Sequence, residues 1–181
     1  MSDHKLKEYP VWSNYVYFVT TAYVAGIGIR YRKIEFILYS IIILLSGIFS
    51  IVYHKHTPSY TGNRATWDNK HFKLWSILDQ VFAALVVVVS IFFFLWRAWV
   101  LKSFFPFMYS NDFYLSILFI ILSSIFFVLG NEHHKSAKEC NKLNCFDIQL
   151  DSYDIFHSNW HIFTSIGLIF WTNVLLFSYQ L

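Results

Sequence analysis

An all-α, polytopic bundle of membrane-spanning helices is the fold this chain predicts, and three observations predict it. Hydrophobic residues fill 56% of its 181 positions and charged residues only 14%, too little polar surface to cover a water-soluble globule of this size. Five stretches approach the roughly 20 apolar residues that a helix needs to cross a hydrocarbon core about 30 Å thick. Of the 25 charged side chains, 24 fall between those stretches or at their ends. Lipid admits only helices and closed barrels, and these stretches lack the alternation of barrel strands, which leaves a helical bundle of about five spans.

The first span runs from Val11 to Ile29 and stops at Arg30, Arg32 and Lys33. Its lead is polar and no small-residue cleavage site follows it, so it reads as a retained span and not a signal peptide. Ile34 to Tyr53 makes the second span, and Leu74 to Trp96, with the run VVVVSIFFFLW, the third. Phe113 to Gly130 is a shorter fourth and Ile155 to Tyr179 a fifth. Between the third and fourth, Trp96 to Tyr109 holds 14 residues with Arg97, Lys102 and Pro106 among them; that composition predicts an interfacial or re-entrant connector. There is no internal repeat and no low-complexity tract, so residues 1–181 read as one integral membrane domain.

The net charge of +3 is spread over short loops and offers no patch for nucleic acid. Nine of the lysines and arginines fall in the N-terminus, second loop and fourth loop, against five in the first and third loops. The positive-inside rule therefore leans toward an inward-facing N-terminus, although the dense basic first loop argues the other way. Cys140 and Cys145 share the fourth loop; they pair if that loop meets an oxidising compartment, whereas the charge lean points to a reducing one.

Asp79 lies about a turn and a half into the third span, the one charged residue inside a span. A carboxylate in a membrane is costly unless paired, hydrated or near a cation, so it marks a candidate functional position; the alternative is a side chain that snorkels to the interface. Eight histidines sharpen the choice. His4, His56, His71, His133 and His134 fall in polar loops and read as solvated, while His54 ends the second span and His157 and His161 open the fifth. Positions i and i+4 share a helix face about 6 Å apart, which lets two imidazoles converge on one ion. His54 can be the third ligand, since three protein ligands and one open position make a catalytic zinc site. Span parity puts His54, Asp79, His157 and His161 at one membrane face. Ser50 precedes His54 by four residues and lies on the same helical face. A lone serine in such a helix more often bonds back to its own carbonyls; several polar residues at one depth on three helices are less easily coincidental.

The pattern Ser50-x-x-x-His54, Asp79 early in the next span and His157-x-x-x-His161 heading the last resembles the CREST superfamily of membrane hydrolases. That superfamily includes alkaline ceramidases and adiponectin-type receptors. "FSIVYHKH", "LDQVFAAL" and "HSNWH" agree with it, as does Trp160 between the two histidines. The long interval from His54 to Asp79 is most similar to the myomaker-like branch. What the resemblance implies is Zn2+ held by His54, His157 and His161, with Asp79 orienting or deprotonating the reacting water. Ser50 would hydrogen-bond that water or the developing oxyanion, and the substrates would be amides of ceramide type.

Two functions follow. One is a zinc-dependent hydrolase of a membrane lipid amide. The other is a non-catalytic subunit of a larger membrane protein complex that keeps the metal site as a structural staple. The superfamily usually has seven spans and this chain has room for five, so a wall of the lipid cavity is lost or supplied by a partner subunit.

Overall fold

A computed structural model of the chain describes residues 9–56, 70–140 and 143–180. Among these the elements are helices: α1 (Tyr9–Ser13), α2 (Val16–Arg30), α3 (Ile34–Lys55), α4 (Lys70–Val100), α5 (Phe105–Met108), α6 (Asn111–Glu139) and α7 (Leu143–Phe177). Four of them, α3, α4, α6 and α7, are long and apolar enough to cross a membrane. α2 has 15 residues, roughly 22 Å of helix; with α1 ahead of it, it completes a bundle of about five spans.

The first span is broken where the sequence predicts one continuous helix. Ser13 Oγ and Asn14 Nδ2 both donate to the Pro10 carbonyl, at 2.9 and 2.7 Å. That carbonyl is the one residue 14 would use in an unbroken helix, so the side chains substitute for the backbone and the chain turns at 14–15. The other helices outrun their predicted ends. α4 begins at Lys70 and reaches Val100, and α5 occupies the connector that follows. α6 continues past Gly130 through NEHHKSAKE to Glu139, a polar run in which Glu, Lys and Ala favour helix. His71 on α4, and His133 and His134 on α6, thus lie on helix and not in a loop. Among the loop histidines, His4 lies outside the described residues.

In order of adjacency the long helices run α6, α7, α2, α3, α4. They form an open arc whose two ends, α4 and α6, flank a gap facing α7. α2 and α3 form the tightest turn of the arc because two glycines allow it. A β-carbon at Gly28 would lie 2.7 Å from Ile37 Cγ1, and one at Gly47 2.8 Å from Tyr17 Cβ. Tyr17, Val24, Phe36, Tyr39, Ile43, Val86 and Leu175 fill the space so enclosed. Polar ties cross the seams: Tyr23 donates to Asn173 Oδ1, the Tyr39 and Ser90 hydroxyls pair, and Ser123 bonds Thr164 at 2.6 Å.

Cys140, just past α6, is disulfide-bonded, the pairing expected if that loop meets an oxidising compartment. The Cys145 side chain lies outside the described residues.

Gly47→Ala should therefore lower stability by about 1–3 kcal/mol through overpacking against Tyr17. Gly26→Ala, whose β-carbon would meet nothing within 4 Å, should be neutral or stabilising by up to about 1 kcal/mol. Thermal unfolding of the two variants in detergent checks this; equal tolerance would contradict the close α2–α3 approach.

Candidate metal centre

His54 ends α3, and His157 and His161 are stacked one turn apart on α7. α3 and α7 run in opposite directions, so side chains from the last turn of one reach those of the other. All three rings are out of solvent, at 0, 6 and 1% exposure. Ring centroids are 4.6 Å apart for His54 and His157, 4.6 Å for His157 and His161, and 5.5 Å for His54 and His161. One nitrogen from each ring lies within 4.8 Å of the other two, an arrangement that can hold a metal ion.

The nitrogens fit such an ion. His161 Nε2 and His54 Nε2 are 3.3 Å apart, and two nitrogens bound tetrahedrally at about 2.0–2.1 Å would stand roughly 3.3–3.4 Å from each other. A single N–H···N bond also suits that distance, but it does nothing for His157. Both His157 nitrogens are buried without a hydrogen-bond partner among the described residues, and each orphan costs about 1–3 kcal/mol. A cation among the three rings removes that cost.

His161 is oriented from behind. Its Nδ1 lies 3.2 Å from the Tyr17 hydroxyl, and the two rings meet edge to face at 5.5 Å. With Nδ1–H donating to Tyr17, the lone pair of Nε2 points to the centre, the outer contact that fixes tautomer and ring angle in histidine metal sites. Trp160 packs on both α7 histidines, with centroids 4.8 and 4.6 Å away.

Asp79 is buried on α4 and opens, with His157, onto a cavity of about 620 Å³. The Ser50 hydroxyl, one turn below His54, is buried and lies against the Asp79 carboxyl without a fully formed hydrogen bond. Of the five residues that sequence reasoning singled out, the three imidazoles form one cluster, Asp79 shares a cavity with His157, and Ser50 lies against Asp79. That cavity adjoins a second, of about 420 Å³, which descends along the gap between α4, α6 and α7. Ala83, Val87 and Trp160 line both, so the cavity at Asp79 adjoins a more apolar one.

Sequence reasoning missed several neighbours. Tyr17 reads as one more aromatic of a span, although Asn14, Tyr17 and Thr20 make a buried polar stripe at helical spacing that could have marked it. His134 lines the upper cavity and stacks on Tyr153 with centroids 4.9 Å apart; α6 carries it there by extending beyond Gly130. His133 instead pairs with Gln149 at 2.6 Å. Asp154 is a second buried acid, 1% exposed and one turn before His157, so Asp79 is not alone.

Comparison with protein-family models, curated proteins and solved structures gave no match.

Tyr17→Phe removes only the hydroxyl bonded to His161. It should weaken binding of a divalent ion about 10–100-fold while leaving helicity and cooperative unfolding intact. Competition with a chromophoric chelator measures the change; unchanged affinity would remove Tyr17 from the centre.

Proposed function

We propose that the chain is a zinc-dependent hydrolase of a lipid amide of ceramide type, built as a five-span relative of the CREST superfamily. The observation that carries this reading is the cluster of His54, His157 and His161, with nitrogens within 4.8 Å of one another, beside an acid in a shared cavity. Zinc suits three neutral imidazoles, which leave the fourth corner of a tetrahedron open for a reacting ligand. Bound there, it would polarise the amide carbonyl and bring the pKa of water to about 7.

The chain's own groups do the rest. Asp79 takes a proton from water as the water oxygen bonds to the amide carbon, and returns it to nitrogen as the C–N bond breaks. Products are a fatty acid and an amine, and no oxidant or second substrate is required. Ser50 donates its hydroxyl to the attacking water or to the oxyanion that develops from the carbonyl. Tyr17 holds His161 at the angle the ion needs. The apolar cavity between α4, α6 and α7 suits an acyl chain, with its amide end at Asp79.

A second reading rests on a different observation. The apolar windows of α4 and α6 are each only 17% buried, against 50% for α3 and 44% for α7. Two long helices with so little protein around them suit a subunit of a larger membrane assembly, where the metal centre would be a staple.

Asp79→Asn separates the two readings. In a lipid hydrolase it should lower release of fatty acid from long-chain ceramide about 10²–10⁴-fold with the ion retained, measured in detergent or liposomes with metal content assayed in parallel. A metal-loaded wild type that releases nothing from any sphingolipid amide would contradict catalysis and favour the staple.

A further inference from the structure

The end of the bundle away from the histidines carries a separate chemistry. There α2 turns into α3 and α4 into α5, and α7 finishes. Arg30, Arg32, Lys33, Arg97 and Lys102 are at this end against only Glu35 and Asp112, whereas the chain's other nine basic residues are matched by nine acids. None of the five cations forms an ion pair among the described residues.

Two of them converge on one ring. Lys33 Nζ is 4.4 Å and Arg97 Cζ 3.9 Å from the centroid of Tyr179, so the charges are no more than about 8.3 Å apart. They come from different elements, and packing holds them together. Arg97 Nε donates to Ser178 Oγ at 3.1 Å and an Nη donates to the Ser178 carbonyl, which fixes the guanidinium. Among the described residues, Glu35 is the acid that lies against the Tyr179 hydroxyl beside this pair.

Two others are held in a conformation that normally falls to glycine. Arg32 and Lys102 have φ of 53° and 52°, each just past the end of a helix. The bonds from Lys33 N to Gly28 O at 2.8 Å and from Ser103 N to Ala98 O at 3.1 Å close the two caps. Glycine would close them without strain. Helix dipoles favour cations at these helix ends.

Beside this cluster a groove of about 410 Å³ runs between α2 and α7, with Tyr23, Gly26, Ile27 and Leu176 along it and Arg30 and Tyr31 at one end. Gly26 keeps it open. Leu176, on its α7 wall, is one turn before Tyr179, so the groove leads toward the Lys33–Arg97 pair.

We propose that this end of the bundle binds an anionic phospholipid, with Lys33 and Arg97 on the phosphate, Arg30 at the groove mouth and an acyl chain in the α2–α7 groove. Charge complementarity selects the lipid: a zwitterionic head group would set its own ammonium among these cations, and an anionic one does not. The disulfide at Cys140 agrees, because an oxidising space at the histidine end puts the basic end at the opposite leaflet, and the cytoplasmic leaflet is the anionic one. The proposal is independent of any activity at the histidines.

Native mass spectrometry of the detergent-purified chain, mixed with equimolar phosphatidylcholine and phosphatidylglycerol of identical acyl chains, tests it. Wild type should retain phosphatidylglycerol over phosphatidylcholine on the order of tenfold, and Lys33→Gln should cut the preference about fivefold. Lys33 caps α3 without a side-chain hydrogen bond, so Lys33→Gln should unfold like wild type, and Arg30→Gln provides a second exposed variant. Equal retention of the two lipids would overturn the proposal. So would a preference that survives Lys33→Gln with Arg30→Gln, or one abolished by Lys55→Gln with Lys73→Gln at the other end.

Discussion

A buried imidazole needs a partner for each ring nitrogen, and this bundle buries three imidazoles together, from α3 and α7. Two share a short nitrogen–nitrogen contact and the third has no hydrogen-bond partner among the described residues. Lipid offers such groups no partner, and a common ligand shared by the three rings would compensate them. Other features of the α2–α3–α7 side follow from that constraint. α2 must approach closely enough for Tyr17 to reach His161, which requires a glycine at 47 on α3. Residues 14–15 separate α1 from α2 by a turn closed with i→i+3 bonds.

The other side of the arc is organised differently. α4 contributes Asp79 and then runs for a further 21 residues to Val100 with little protein against it, while α6 packs on α7 and hardly meets α4. Between them the cavity at Asp79 adjoins a second, more apolar one. The proposed lipid substrate rests on that adjacency of an acid to an apolar cavity. The same gap is also where two further helices, or a partner, would fit. The two readings of function therefore meet at one structural feature, the gap between α4 and α6.

The site was legible in the sequence to the extent that its residues break the rules of a membrane helix. His157 and His161 announce themselves by i,i+4 spacing in an apolar run, and span parity brings His54 and Asp79 to their level. Ser50 follows from helical phase alone. Tyr17 did not stand out, because an aromatic residue in a span satisfies every rule of burial, and only its distance to His161 gives it a role. Asp154 escaped because the fifth span was drawn from Ile155, one residue too late. The helix ends were the least legible part: α4, α6 and α7 continue into polar sequence where hydropathy stops but backbone hydrogen bonding does not. Hydropathy locates the membrane and says little about the helix beyond it. The turn at 14–15 was hidden for a different reason, since Ser13 and Asn14 act on the Pro10 carbonyl through side chains that hydropathy does not weigh.

The central claim is that one ion sits among His54, His157 and His161. X-ray absorption at the zinc edge on the purified, zinc-loaded chain tests it most directly. The account predicts a four-coordinate shell with three imidazole nitrogens at about 2.0–2.1 Å and one oxygen, and the imidazole signature falling away in His157→Ala. A six-coordinate oxygen shell, or a spectrum unchanged by His157→Ala, would place the metal elsewhere and contradict it.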